Sequence, residues 1–270
     1  MTETSVRTDI DNRGIATVTL DRQDKHNAFD DVVIGELRDA FKALHKDDRV
    51  RVVVLRGAGK HFSAGGDLAW MRRMAEYDYG HNMKDAEELA GMLQDLYRLP
   101  MPTVAVVQGA AFGGAVGLVS CCDMAVASER ARFALSEVRI GLIPATIGPY
   151  VVKAIGERAA SRYMLTGEAF DAATALRLGL VSETCAAEHL DAHASALVDE
   201  LLLGGPAAQR GAKDLVRSVA GAELSPSLIE DTCARIAHIR VSEEGQEGLS
   251  AFLEKRDPAW RTRAGKSEER

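Results

Sequence analysis

Two glycine-rich segments carry the clearest chemical signal in this chain of 270 residues. The first is HFSAGGDL at 61–68 and the second is GAAFGGAVG at 109–117. Each follows a β-branched run and precedes a helical pattern, so each should bring unpaired backbone N–H groups to the start of a helix. Two such sets of amides can stabilise a negatively charged oxygen without a charged side chain. The segments therefore predict chemistry at an activated carbonyl group, such as that of a thioester.

Glu137 is the main acid–base candidate. It follows a strand pattern, Arg132 to Leu135, and precedes an apolar run, Ile140 to Pro144. Apolar surroundings raise the pKa of a carboxyl group by desolvation, toward the range that suits proton transfer. The pattern by itself favours a solvated surface glutamate over a catalytic one. His26 and His61 lie beside turns and are open to either a catalytic or a surface role.

Other common site signatures are missing from the sequence. It contains no GxGxxG fingerprint, no P-loop and no GxSxG elbow. The four cysteines have neither CxxC nor metal-ligand spacing, which predicts free thiols, as in a reducing compartment; they are Cys121, Cys122, Cys185 and Cys233. We therefore expect no bound metal and no cofactor.

Composition narrows the class of protein. Hydrophobic residues make up 46% of the chain and charged residues 27%, which is typical of a soluble globular protein. The net charge of −7 argues against surfaces for nucleic acid or anionic membranes. Residues 1–11 are polar and acidic, unlike a signal peptide, and no apolar run approaches the roughly 20 residues that span a bilayer. We expect a cytoplasmic protein.

Strand and helix patterns alternate along residues 1–188, which predicts an α/β fold with largely parallel strands. The predicted strands are Ile15–Leu20, Val50–Leu55, Thr103–Gln108, Met124–Ala127, Arg132–Leu135 and Leu180–Thr184. The predicted helices include one from Asp67 to about Leu99 and a pair at Gly148–Ile155 and Ala159–Leu165. Strand signals stop after Glu188. Residues 189–260 read as a helical region, and the charged tail 261–270 is expected to be mobile.

The motifs together resemble the enoyl-CoA hydratase/isomerase (crotonase) superfamily over nearly the whole chain. They are RQDKHNAF at 22–29, FSAGGDL at 62–68, VQGAAFGGAVG at 107–117, the stretch 133–144, and LTG with LGLV between 165 and 181. The resemblance implies a spiral of ββα units over 1–188 and a trimerisation region over 189–260. It also implies a homotrimer or a dimer of trimers. The substrate would be an acyl-CoA thioester, so that coenzyme A arrives as part of the substrate.

The same resemblance assigns site residues by motif position. The backbone N–H groups of Gly66 and Gly114 would form the oxyanion hole, and Glu137 would handle the proton at Cα. Residues expected along the substrate are Lys25, His26 and Ala28 at the coenzyme A entry, Ala64, Asp67 and Leu68 beside the thioester, and also Gly113, Gly117 and Pro144.

Gly117 departs from the family pattern. Two-glutamate hydratases carry a glutamate there that helps to activate water, so simple syn-hydration by paired glutamates is in doubt. A single acid–base residue also occurs in double-bond isomerases of the family.

Longer stretches are similar to bacterial hydratases of 3-methylglutaconyl-CoA or isohexenylglutaconyl-CoA, which act in leucine or acyclic terpene breakdown. These stretches are SAGGDLAWM at 63–71, AAFGGAVGLVSCCDMA at 110–125, SEVRIGL at 136–142, AIGERA at 154–159 and GQEGLSAFLEKRDPAW at 245–260. The leading expectation is hydration of a branched, carboxylated 2-enoyl-CoA. The alternatives are an enoyl-CoA isomerase, a broad short-chain hydratase and a non-catalytic acyl-CoA binder. RNA binding is disfavoured by the acidic balance.

Overall fold

The computed structural model describes residues 4–264. Its strands are β1 (Val6–Ile10), β2 (Ile15–Leu20), β3 (Val52–Gly57), β4 (Thr103–Val107), β5 (Ala110–Phe112), β6 (Met124–Ser128), β7 (Arg132–Ala134), β8 (Ala169–Asp171) and β9 (Glu183–Cys185). Its α-helices are α1 (Asp31–Lys46), α2 (Leu68–Glu76), α3 (Tyr79–Tyr97), α4 (Gly114–Cys121), α5 (Gly148–Thr166), α6 (Ala172–Leu178), α7 (Leu190–Leu203), α8 (Pro206–Val219), α9 (Pro226–Val241), α10 (Glu243–Glu254) and α11 (Ala259–Ala264).

The larger sheet has the strand order β1-β2-β3-β4-β6-β9. Every neighbouring pair is parallel except β1 with β2. All five residues of β4 are buried, as expected for a central strand covered by helices on both faces. The predicted parallel α/β class is confirmed.

A smaller sheet, β5-β7-β8, lies beside the larger one. Two single-residue parallel bridges extend this layer, Phe29 with Gly66 and Ser63 with Ala111. The chain therefore repeats one route: a strand of the large sheet, a short segment in the small layer, and then a helix. The route β4, β5, α4 is one such unit. This is the spiral of ββα units that the resemblance implied.

The large sheet separates two apolar clusters. One face packs on the helices of the spiral, and the aromatic residues at its centre are Phe29, Phe41, Phe62 and Phe133. The other face packs valines of β3, β4 and β6 against α7. Within residues 4–264, no helix is both long enough and apolar enough to cross a membrane.

The structure corrects one predicted helix. The pattern over 67–99 was expected to be continuous, but it forms α2 and α3 with a break at Tyr77 and Asp78. Asp78 ends the continuity because its carboxylate accepts the amide of His81 at 2.8 Å and caps the new helix. The predicted pair over 148–165 corresponds to α5, which changes direction at Gly156, where φ is 77°. In the predicted tail, 261–264 belong to α11 and 265–270 lie outside the described residues.

Candidate active site

The first glycine segment presents the amide of Gly66. Ser63 Oγ accepts the amide of Gly65 at 3.1 Å, and the amide of Asp67 donates to Phe29 O at 3.0 Å. The amide of Gly66, between them, has no acceptor within residues 4–264. Gly65 has φ +91°, and a β-carbon there would lie 2.7 Å from Phe112 O. Only glycine therefore lets the first segment approach the second this closely.

The second glycine segment presents the amide of Gly114. Gly113 donates its own amide to Ala134 O at 2.8 Å and takes φ +55°. Gly114 is the first residue of α4, so its N–H has no acceptor within the helix. The dipole of α4 adds positive potential at this amide.

Phe29 holds the two segments together. Its backbone pairs with the first segment on both sides of Gly66, donating to Gly65 O at 2.9 Å and accepting from Asp67. Its buried ring packs on Gly114, where an added β-carbon would meet the ring at 2.5 Å. The two free amides therefore lie along the same small layer, as an oxyanion hole requires.

Glu137 lies at the start of α4. It begins a 3-10 turn that two residues separate from the end of β7, and β7 pairs with β5 in a register that sets Ala134 opposite Phe112. Its Oε1 lies 3.2 Å from the position that a β-carbon on Gly113 would take. Its Oε2 is buried and has no hydrogen-bond partner among the described residues. Strand pairing thus places the carboxyl group of Glu137 beside Gly113, the residue before the free amide of Gly114.

Burial sets the direction of the pKa shift at Glu137. Desolvation raises the pKa above its usual value and outweighs the hydrogen bond from the backbone amide of Glu137 itself, which lowers it. A carboxyl group whose pKa is raised by burial is typical of groups that carry protons in enzymes.

Asp67 is fixed by charge and backbone together. It is 4% exposed, accepts Lys25 Nζ at 2.9 Å and lies 3.4 Å from Arg22 Nη1. It also caps α2 by accepting the amides of Ala69 and Trp70. Burial is the largest influence on its pKa and acts upward, but the Lys25 hydrogen bond and the capping amides outweigh it and lower the pKa to about 2. Asp67 is therefore ionised at neutral pH and anchors the first segment.

The other predicted binding residues occupy the same region. His26 is exposed, and its carbonyl accepts the amide of Ala64 at 3.0 Å, which joins the 22–29 turn to the first glycine segment. Ala28 is buried, and its carbonyl accepts Arg22 Nη1 at 3.2 Å. Leu68 is 72% exposed at the start of α2 and is open to a ligand, whereas Pro144 is buried. Their roles toward coenzyme A stay predictions.

Gly117 does not face open space. It is buried, and a β-carbon there would lie 2.2 Å from Ile147 Cγ2 and 3.4 Å from Leu93 Cδ2. The place that a glutamate side chain needs at this position is therefore already filled.

Two positioning residues were not assigned as such from the sequence. Asn27, buried with φ 56°, donates Nδ2 to Ala58 O and His61 O, both at 2.8 Å. His61 Nδ1 accepts the amide of Ala110 at 3.1 Å, and its pKa is lowered by burial and by nearby His26 and Lys60. The sequence signal for Asn27 was an asparagine in a polar turn directly before an apolar residue. Asparagine tolerates the left-handed backbone conformation that such a turn can require.

Comparisons with known proteins agree with the geometry. The sequence profile of the enoyl-CoA hydratase/isomerase family matches residues 11–263. The structure of an enoyl-CoA hydratase from Shewanella pealeana is 47% identical, with a TM-score of 0.91 over 95% of this chain and 96% of that one. The 2,3-dehydroadipyl-CoA hydratase of Escherichia coli is 30% identical over 251 residues, 92% of this chain and 96% of the relative. The trans-2-decenoyl-acyl-carrier-protein isomerase of Streptococcus mutans is 32% identical over 253 residues, 92% of this chain and 95% of the relative.

These matches confirm the predicted crotonase-like fold and an enzyme of the enoyl-CoA hydratase type. One family relationship explains both the motif resemblance and the spiral that carries the two glycine segments. The chain belongs to the enoyl-CoA hydratase/isomerase family.

Proposed function

We propose that this enzyme catalyses the reversible hydration of a branched 2-enoyl-CoA that bears a second carboxylate, either 3-methylglutaconyl-CoA or its isohexenyl analogue. The observation that carries the proposal is the buried, unpaired Oε2 of Glu137 beside the amide-bearing start of α4. The exposed Leu68 at the end of the first glycine segment and the 22–29 turn beside that segment are proposed to receive the coenzyme A moiety.

Addition of water begins with the thioester oxygen held by the amides of Gly66 and Gly114. Their hydrogen bonds draw electron density from the double bond and make Cβ electrophilic. Ionised Glu137 accepts a proton from water as the water oxygen bonds to Cβ. The electron pair of the double bond moves toward the thioester oxygen, which becomes an enolate oxygen stabilised by the two N–H groups.

The second half of the reaction uses the same carboxyl group. Neutral Glu137 returns its proton to Cα as the enolate collapses to the thioester, so that one water molecule has added across the double bond. The carboxylate is regenerated, and the sequence run backwards is dehydration. The balance requires no cofactor, and general acid–base work of this kind contributes roughly 10²–10⁴-fold.

Charge supports a carboxylated substrate. With glycine at 117, the site has one carboxylate where a two-glutamate hydratase has two. Like charges repel strongly in partly desolvated sites, so an anionic acyl chain is better tolerated near a single carboxylate. The Escherichia coli relative is named for 2,3-dehydroadipyl-CoA, the thioester of a dicarboxylic acid.

Isomerisation is the second candidate function. One acid–base glutamate can also move a proton between two carbons of an enolate, and the Streptococcus mutans relative is named an isomerase. A non-catalytic acyl-CoA binder is less consistent with Glu137, because an unpaired buried carboxyl destabilises a fold and has no use in binding alone.

A substrate panel separates these functions. The purified enzyme is incubated with 3-methylglutaconyl-CoA, isohexenylglutaconyl-CoA, crotonyl-CoA and a 3-enoyl-CoA, and enoyl absorbance and product mass are followed. We expect kcat/KM for one glutaconyl ester to exceed that for crotonyl-CoA by about 10-fold or more. Faster crotonyl-CoA hydration, double-bond migration without hydration, or tight binding without turnover each contradicts the proposal.

A further inference from the structure

We propose that Ile147 is a specificity-determining residue, because it fills the space that a side chain at position 117 would need and thereby keeps the site to a single carboxylate. The inference rests on the proposed hydratase reaction. Its basis is the 2.2 Å between Ile147 Cγ2 and the position of a β-carbon on Gly117, with Ile147 Cβ at 2.8 Å. Ile147 is only 2% exposed, so its side chain is enclosed on all sides.

The direction of a side chain at 117 makes this contact relevant to catalysis. Gly113 precedes α4, and Gly117 follows it by four residues, which is about one helical turn. Side chains on a helix lean toward its N-terminus, so one at 117 would point toward Gly113. The carboxylate of Glu137 lies against Gly113. Ile147 therefore stands where a second acidic group would approach Glu137.

The obstruction cannot be removed by a change of rotamer at 117. The close contact involves the β-carbon itself, whose position is set by the backbone and not by χ1. Ile147 has little freedom to retreat, because it precedes α5 and its carbonyl accepts the amides of Tyr150 and Val151 in the first turn. Leu93 of α3 closes the other side. Gly117 and Ile147 thus form a coupled pair.

The pair has a consequence for substrate choice. It lines the start of α4 with apolar, uncharged surface, and it leaves Glu137 as the site's acid–base group. A return to two-carboxylate chemistry requires both positions to change: glutamate at 117 alone collides with Ile147, and a smaller residue at 147 alone supplies no carboxylate.

The packing claim is tested with Gly117→Ala in three backgrounds: wild type, Ile147→Val and Ile147→Ala. Valine is the matched control, because it retains a γ-carbon in place of Cγ2, whereas alanine does not. We expect Gly117→Ala to lower Tm by roughly 5 °C in the wild-type and Ile147→Val backgrounds. The loss should be smaller in the Ile147→Ala background, where the 2.2 Å contact is gone and only the 2.8 Å contact with Cβ of residue 147 remains. Equal losses in all three backgrounds overturn the inference.

The specificity claim is tested with Gly117→Glu, Ile147→Ala and the double variant, with Gly117→Glu/Ile147→Gly as a second double variant in case the first does not fold. Each is assayed with 3-methylglutaconyl-CoA and crotonyl-CoA across pH. We expect a folded double variant to shift the ratio of kcat/KM toward crotonyl-CoA by about 10-fold or more and to gain a second acidic group in its pH profile. Neither single variant should do so.

The outcomes separate the two proposals. An unchanged ratio and an unchanged pH profile in a folded double variant overturn the role of Ile147 and leave the proposed function standing. A wild-type enzyme that hydrates neither glutaconyl ester overturns the proposed function and with it the specificity claim. The melting experiment still decides, independently of activity, whether Ile147 excludes a side chain at position 117.

Discussion

Glu137 combines features that favour function over stability. Its Oε2 is buried without a partner, and its pKa is raised by desolvation even though it lies at a helix start. Buried polar groups are nearly always paired, so an unpaired carboxylate oxygen indicates a group reserved for a ligand or a proton.

Replacing Glu137 by glutamine tests its role in turnover. Glu137→Gln keeps the shape but can neither accept nor return the proton, so kcat should fall by roughly 10²–10⁴-fold. KM should change much less, because the thioester oxygen is held by backbone amides. Steady-state kinetics with the best substrate of the panel provides the measurement, and Glu129→Gln, at an exposed position, is the control. A variant with near wild-type kcat removes Glu137 from the mechanism.

The same variant should alter the pH dependence of stability. Because the folded-state pKa of Glu137 is raised, its contribution to stability is complete below the unfolded-state pKa and is lost as pH rises through the folded-state pKa. At pH 7 the ionisation of Glu137 therefore lowers the free energy of unfolding of the wild type, whereas a neutral glutamine does not. We expect Tm of Glu137→Gln minus that of the wild type to be positive at pH 7 and to shrink toward pH 4. Calorimetry at both pH values measures this difference, and a pH-independent difference contradicts it.

At the scale of elements, the sequence predicted those with a strong internal pattern. The valine-rich β3 and β4 match their predicted positions within a few residues. Three strands were missed. β1 has three exposed residues of five, and β5 and β8 are three residues long, so their pairing with other strands, not local preference, makes them strands.

The two glycine segments also act as structural elements. A substitution that changes their backbone geometry tests whether they form a shared oxyanion hole. Gly65→Ala introduces a β-carbon 2.7 Å from Phe112 O at a positive φ, which should push the two segments apart and separate their amides. Gly221→Ala is the matched control, because its φ is +74° but no atom lies within 4 Å. We expect kcat/KM to fall by about 100-fold or more in Gly65→Ala and to stay near wild type in Gly221→Ala. Similar kinetics in both variants would count against a shared oxyanion hole.

At the scale of the whole molecule, the site could be predicted only in part. Glycine spacing indicated an oxyanion hole, and family resemblance assigned Glu137 to the same site. No sequence pattern indicated that Phe29 links the two segments or that Ile147 fills the space at 117. These relations join residues 30 or more positions apart, and they exist only once the spiral has stacked its turns.

The C-terminal helices carry the prediction of an oligomer. Neither α8 nor α9 contains a buried residue, and Phe252 and Leu253 of α10 are 80% and 77% exposed. Helices with apolar side chains and no buried face need a partner surface, for which the family resemblance implies further copies of this chain. We expect light scattering to give three or six times the 29.1 kDa chain mass.

Introducing negative charge at that surface tests the oligomer. The double substitution Phe252→Asp/Leu253→Asp should reduce the measured mass, whereas Val32→Asp, at an exposed apolar position on α1, should not. A monomer in the unaltered protein, or equal masses for both variants, contradicts the trimerisation region predicted at 189–260.

His61 is a second group whose protonation should lower kcat/KM at acidic pH. Its Nδ1 accepts the amide of Ala110, and that acceptor is lost when the imidazole takes up a proton. The pKa of His61 is lowered while that of Glu137 is raised, so the two titrations move toward each other. Protonation of Glu137 would remove the catalytic carboxylate. Protonation of His61 would break the hydrogen bond that positions the strand leading to Gly114. Log kcat/KM should therefore fall on the acid side with a limiting slope nearer two than one.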